Sequence, residues 1–290
     1  MNVYLLSVLL GIIEGLTEFL PVSSTAHLRI AEALLNVPLD SGYWKMFSIV
    51  IQLGAILTLP FYFRHRIYKF LSTYPYDERG RSAWLGHPVG LVAVAFVVTA
   101  IPAFLLHKVI GQNLESLYVM GMALVIGGVV MWIVDALYSR NLLYPDRRTE
   151  AVEQMSLPQA IWIGACQILS AVFPGTSRSM STIAAGQLAG MSRPAALEFS
   201  FFLSIPTMIV ATIYDLLKSM RPGHGVSAIG AAPASTEQWI ALAIGFVVSF
   251  IVAYFVVSWF MHWVRTRGFI PFAIYRIVIG AAVLFWVVRL

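Results

Sequence analysis

Apolar residues in this chain fall into long unbroken runs, not into the alternation of a half-buried strand or the narrow stripe of a surface helix. Six runs, at 47–63, 90–107, 117–138, 199–217, 239–261 and 270–289, approach the ~20 residues that a helix needs to cross ~30 Å of hydrocarbon. They predict six membrane spans, three in each half. Two further apolar runs stop at a proline and give way to hydroxyl and ionisable residues, one within Gly11 to His27 and the other within Gly164 to Met180. These two stretches are copies. Gly11 pairs with Gly164, Glu14 with Gln167, Pro21 with Pro174 and Ser24 with Ser177, at a constant offset of 153 residues (164 − 11). Phe47-Ser48 and Phe199-Ser200 repeat at nearly the same spacing, so the duplication extends into the spans. Broken backbone is tolerated at membrane depth only where it faces protein or a wet cavity. Paired interrupted segments in two halves therefore point to a site near the midplane.

Composition agrees with the pattern. The hydrophobic fraction is 59% and the charged fraction 11%, and the mean hydropathy is +0.80, far from the roughly 25% charged residues of soluble domains. The net charge of +5 resides in loops and forms no basic stripe, so nucleic acid is not an expected partner. Cys166, the single cysteine, excludes an intrachain disulfide and reads as a packing residue. The first apolar run lacks a basic leader and carries Glu14 and Glu18, so no cleavable signal peptide is expected.

The loops sort by charge. Arg64, Arg66, Lys69, Arg79 and Arg81 lie in 64–89, Arg140, Arg147 and Arg148 in 139–157, and Arg265 and Arg267 in 262–269; these loops are expected in the cytoplasm. The loops 108–116 and 218–238 carry only Lys108, Lys218 and Arg221 and are expected outside, as is the end bearing Arg289. Span 47–63 must then start outside and span 199–217 inside, so the halves are inverted. The expected fold class is all-α: a polytopic integral membrane protein, an inverted-topology repeat with two re-entrant helical hairpins plus six transmembrane helices. One membrane domain, 1–290, would hold a first repeat, 1–138, with its hairpin at 2–36, and a second, 158–290, with its hairpin at 158–197. Tips at Pro21 and Pro174 would meet from opposite faces.

Glu14 and Glu18 are four apart, so on a helix they share a face and can share a cation or a proton. After Pro21 come Ser23, Ser24, Thr25 and His27, where a restarting helix would turn its free N–H groups to the tip. One serine there serves as an N-cap; three hydroxyls and an imidazole exceed that need. The second tip offers Gly175, Thr176, Ser177, Arg178, Ser179 and Thr182: a glycine that lets a ligand approach, a fixed guanidinium fork, and hydroxyls. Such a set suits an oxyanion, phosphate best of all. Arg178 paired with Glu14 or Glu18 is the plain structural alternative. Carboxylates, a hydroxyl or imidazole nucleophile and an arginine clamp are parts of a phosphoryl-transfer site. Within a membrane, its simplest substrate is a lipid phosphate whose tail leaves sideways between helices.

These residues carry a resemblance. Glu14-Gly-Leu-Thr-Glu18-Phe-Leu-Pro-Val-Ser-Ser-Thr-Ala-His27 and Pro174-Gly-Thr-Ser-Arg-Ser-Met-Ser-Thr182 resemble the two motifs of the BacA-type undecaprenyl-diphosphatase family, the bacitracin resistance proteins. Phe47 to Gly54, Ser192 to Phe201 and Phe269 to Arg276 resemble further family segments. The resemblance implies hydrolysis of undecaprenyl diphosphate to the monophosphate and phosphate, which recycles the carrier lipid for peptidoglycan synthesis and confers bacitracin resistance. It also implies a divalent cation, Mg2+ or Ca2+, on Glu14 and Glu18, and a site open to the outer face of the bacterial inner membrane. Carried over residue by residue, the family's functional groups fall on Glu14, Glu18, Ser24, His27 and Arg178, with Ser24, His27 or water left open as the nucleophile. Ser23, Thr25, Gly175, Thr176, Ser177, Ser179 and Thr182 fall around the bound diphosphate. The chain departs from the family at Ser48, where a glutamate is frequent, which puts a third carboxylate near the site in doubt. Expected partners are the polyprenyl substrate and membrane lipid, with a homodimer left open. The rival from another class is a lipid carrier transporter or flippase using the same phosphate site, since inverted repeats with broken helices are a transporter hallmark.

Overall fold

The computed structural model describes residues 2–37, 42–76, 82–106, 116–139, 148–219, 233 and 235–289. The described chain is helical: α1 (Val3–Thr17), α2 (Ser24–Leu34), α3 (Gly42–Tyr62), α4 (Arg64–Thr73), α5 (Pro88–Leu105), α6 (Leu117–Ser139), α7 (Leu157–Val172), α8 (Arg178–Leu188), α9 (Arg193–Ser219), α10 (Thr236–Thr266) and α11 (Ile270–Arg289). Six of them, α3, α5, α6, α9, α10 and α11, are long and apolar enough to span a membrane, and they cover the six runs expected to do so. The protein is a multi-pass membrane protein. The pairs α1–α2 and α7–α8 are the two broken stretches, each helix too short to span alone. Residues 108–115 of the loop at 108–116, much of those at 139–157 and 218–238, and Arg79, Arg81, Lys108, Arg140, Arg147, Arg221 and the Lys218 side chain lie outside the described residues.

Residues 64–73 differ from expectation, forming a helix where a charged loop was read. Phe63, Ile67 and Phe70 recur at helical spacing and turn into the core, with Phe70 edge-on to Phe202 at 5.5 Å, while Arg64 and Lys69 are exposed and Arg66 lies over the Phe70 ring. Beyond α4, buried His87 caps α5, accepting the Val89 N–H through Nδ1, and burial pushes its imidazole below the ordinary histidine value.

Lipid supplies no hydrophobic drive between helices, so close backbone approach at small residues and interhelical hydrogen bonds must hold them. The duplicated glycines do this in both halves. A Cβ on Gly11 would come within 2.8 Å of the Gly245 carbonyl oxygen, and one on Gly15 within 2.8 Å of that of Ser249, so α1 lies directly on α10. A Cβ on Gly164 would come within 2.5 Å of the Ala95 carbonyl oxygen, and Thr99 Oγ1 donates to the Gly164 carbonyl at 2.8 Å, so α7 lies on α5.

Interhelical bonds also reveal chain direction. Arg66, just past α3, reaches Glu198 near the start of α9 at 2.9 Å. Asp135, near the end of α6 and fully buried, accepts from Arg193 Nε at the start of α9 (2.7 Å) and from the Phe269 N–H at the start of α11 (2.8 Å). Tyr43, at the start of α3, donates to the Gln238 carbonyl at the start of α10 (2.9 Å). Thus α3 ends at the face where α9 begins: the first span of each half runs in opposite senses. α7 begins at the face of Arg66, through Glu153 and the Thr149–Met191 bridge, while α1 begins at the face of Tyr43.

A candidate active site at the two hairpin tips

The tips meet inside the molecule. Ser179 Oγ donates to the Leu20 carbonyl (3.0 Å), and Arg178 Nη2 donates to Glu18 Oε1 (2.8 Å), bonds that join opposite halves of the chain. Each tip turns through a serine with positive φ, Ser23 at 74° and Ser177 at 70°. Such backbone costs about 1–3 kcal/mol at a non-glycine residue. Both serines recover part of it by capping the next helix, Ser23 Oγ accepting from the Ala26 N–H and Ser177 Oγ from the Met180 N–H. The backbone therefore pairs Ser23 with Ser177, one residue out of step with the sequence offset that pairs Ser24 with Ser177. The extra residue sits in the second tip, where Gly175 has φ 93° and a Cβ would come within 2.8 Å of the Met120 backbone.

Glu18 is the hub. Its Oε2 accepts from Ser24 Oγ at 2.6 Å and from Gln52 Nε2 at 3.4 Å, while Oε1 takes Arg178. Glu14 lies one turn behind, fully buried, and neither of its carboxylate oxygens has a hydrogen-bond donor. Arg178 uses one nitrogen on Glu18 and leaves Nε and Nη1 without acceptors. Buried polar atoms are almost always partnered, so the site pairs a carboxylate short of cations or donors with a guanidinium edge short of an anion. A divalent cation fits that first deficit. Among the described residues no three His, Cys, Asp or Glu side chains converge to cage an ion. Two carboxylates would leave the remaining positions to water and substrate, as Mg2+ commonly binds at phosphate sites.

A cavity of about 470 Å3 opens at this hub, with Glu18, Ser24, Thr25, Gln167, Ser177 and Arg178 at its polar end and Phe96, Phe104, Val210 and Tyr214 toward lipid. Ser23 and Gly175 also border it. The other expected residues stand elsewhere. His27 spends both ring nitrogens, Nδ1 on the Ser23 carbonyl (2.7 Å) and Nε2 on the Tyr275 hydroxyl (2.8 Å), and stacks on the Tyr275 ring. Thr182 Oγ1 is bonded to Ser200 Oγ (2.6 Å), and Ser179 to Leu20, so one hydroxyl ties α8 to α9 and the other ties it to the turn of the first tip. Thr176 faces a second, almost wholly apolar cavity between α6 and the second hairpin.

Several site groups escaped the reading of the sequence. Ser48 Oγ donates to Glu32 Oε1 at 2.9 Å, and Glu32, fully buried on α2, also pairs with Arg29. A carboxylate thus stands beside position 48 although it arises from another helix. Gln167, the partner of Glu14 in the repeat, donates to Thr99 and Thr207 (3.2 and 3.3 Å). Arg276, fully buried in α11, binds both tips. Its signal was present, since a lone arginine inside an apolar span is functional by default.

The family described as "Bacitracin resistance protein BacA" matches residues 7–282. A relative from Koribacter versatilis named "Undecaprenyl-diphosphatase" is 64% identical over 290 residues, covering 100% of both chains. Proteins of the same name from Caldanaerobacter subterraneus and Sorangium cellulosum are 37% and 41% identical, covering 100% and 96% of this chain and 98% and 84% of their own.

Proposed function

The chain belongs to the BacA family of bacitracin resistance proteins, and from that premise we propose that it is an undecaprenyl-diphosphatase whose site is the junction of the two hairpin tips. It removes the terminal phosphate of undecaprenyl diphosphate and returns the monophosphate carrier to peptidoglycan synthesis. The observation that carries this reading is the pairing of Ser24, Glu18 and Arg178 through 2.6 Å and 2.8 Å bonds at the polar end of a cavity whose far wall is apolar.

The terminal phosphate enters between Arg178 and Ser24. Arg178 turns its two unpartnered nitrogens to the phosphoryl oxygens, a charge-assisted clamp on the charge that spreads in the transition state. Ser24 Oγ attacks the terminal phosphorus as Glu18 Oε2 takes its proton; the anhydride P–O bond breaks and undecaprenyl phosphate leaves. Glu18 passes that proton to the departing undecaprenyl phosphate, and its carboxylate then takes a proton from the water that attacks the phosphoserine and returns it to Ser24 Oγ as the serine P–O bond breaks, releasing phosphate. Ser24 is preferred to His27 because the imidazole is held on Ser23 and Tyr275, outside the cavity. His27 instead fixes the turn that carries Ser24. Glu14 and Glu18 would hold the divalent cation, which supplies neutralisation of phosphate charge. Thr25, Gly175 and Ser177 line the diphosphate's path, and Ser23, Thr176, Ser179 and Thr182 hold the tips in shape.

The site opens to the outer face of the inner membrane. The cavity is bordered by the later halves of α5 and α9, which run away from the end bearing Arg64, Arg66, Lys69, Arg148 and Arg267, and basic ends stay in the cytoplasm. The prenyl tail leaves between α5 and α9. Phosphate release from undecaprenyl diphosphate by purified protein in detergent, with and without a chelator, tests the function. Cation-dependent release is expected and should vanish in Ser24→Ala together with any trapped phosphoserine. A folded wild type that releases nothing would leave the transporter reading.

A further inference from the structure

We infer that Arg276 is a positioning residue for the reaction: a buried guanidinium that locks both hairpin tips and so aims a backbone N–H of the second tip at the phosphate. The inference rests on the diphosphatase reading and adds to it a group that lies outside the cavity.

Arg276 sits in the middle of α11, with no measurable exposure to solvent. Its Nη1 donates to the Pro21 carbonyl (3.1 Å), and its Nη2 faces the carbonyls of Thr176 (2.9 Å), Gly175 (3.1 Å) and Ala123 (3.1 Å). All four acceptors are backbone, and no ion pair to an acidic side chain joins them among the described residues. A buried charge without a counter-ion is costly, and lysine could not reach four carbonyls on three segments from one point. The space for it is made on purpose: a Cβ on Gly127 would collide with Nη2.

Geometry converts this anchor into function. In a planar trans peptide the C=O and the following N–H point in opposite directions. Because the Thr176 carbonyl points at Arg276, the Ser177 N–H points away from it, to the side on which Ser177 and Arg178 line the cavity. No acceptor in the described chain takes that N–H. It stands at the start of α8, where the free N–H groups of a helix favour an anion. Arg276 thus fixes the direction of a donor beside the Arg178 clamp, and the same guanidinium, through Pro21, holds the first tip in register with it.

The test uses full-length protein in detergent, with undecaprenyl diphosphate as substrate and inorganic phosphate as product inhibitor. Wild-type release establishes the underlying reading; if wild type is inactive, that reading fails on its own. With active wild type, Arg276→Lys and Gly127→Ala should elute as folded protein yet lose ~10–100-fold in kcat, since one lost oxyanion donor costs ~10²–10³-fold and a partial misdirection less. Their inhibition constants for phosphate should rise in parallel, with Arg276→Lys less impaired than Arg276→Met. Folded variants with wild-type kcat and wild-type phosphate inhibition would overturn the inference. So would failure of all three variants to fold, which would make Arg276 a residue of the fold alone.

Discussion

At the first tip the residue after the N-cap serine is Ser24, and it donates to Glu18; at the second it is Arg178, and it donates to the same carboxylate. One backbone design, used twice and inverted, thus brings a serine hydroxyl from one half and a guanidinium from the other to a single carboxylate. The next turn back divides in the same way: Glu14 is buried without donors, whereas Gln167 spends its amide on Thr99 and Thr207. The flanking helices differ too. α3 and α10 close tightly, Ser249 donating to the Ile51 carbonyl (2.8 Å) and Thr58 to that of Phe250 (3.0 Å). Their counterparts α5 and α9 stand apart around the cavity, joined near its mouth by Phe104 and Tyr214 at 6.4 Å between ring centres. Duplication supplied the frame; its divergence opened a cavity on one side and distributed unlike charges across the tips.

The largest effect expected from breaking this asymmetry belongs to Arg178→Ala, which should lower kcat by ~10³-fold or more, as loss of an arginine does in phosphoryl transfer. Exchanging the next layer sharpens the comparison. Glu14→Gln should raise the cation concentration for half-maximal activity by ~10-fold or more, since even outer ligands of a metal are worth that much. Gln167→Glu should leave the cation requirement unchanged and lower Tm, because a lost buried donor costs ~1–3 kcal/mol; a cation titration on both variants checks this. The paired glycines should behave alike: Gly11→Ala and Gly164→Ala each force a Cβ against a carbonyl and should cost ~1–3 kcal/mol of stability, read as a lower Tm. A silent Gly164→Ala would break the equivalence of the two packings. The smallest effect lies at the open side, where Val210→Trp should raise KM severalfold for undecaprenyl diphosphate and spare a short-chain prenyl diphosphate.

The frame was legible because it depends on patterns that sequence carries directly: apolar runs long enough to span, a repeat at one offset, and arginines gathered in alternate loops. α4 was lost because its basic residues outweighed the helical spacing of Phe63, Ile67 and Phe70. The site residues were legible as types, not as directions. Nothing in a Ser-Ser-Thr-Ala-His string tells that Ser24 turns to Glu18 while His27 turns to Tyr275, since a one-residue difference at a positive-φ serine decides it. Ser48 left a third carboxylate in doubt, yet Glu32 from another helix accepts its hydroxyl, a contact visible only in space. Arg276 passed as one more residue of a span because its four acceptors are backbone atoms, which a side-chain motif does not display.

The central claim, one site built from two tips, is tested most directly by a double-mutant cycle on phosphate release between Glu18→Gln and Arg178→Ala. Residues that act as a unit lose activity non-additively. The account predicts that each single substitution costs about as much as the pair. Independent losses that multiply in the double variant would contradict it, placing the carboxylate and the arginine in separate roles.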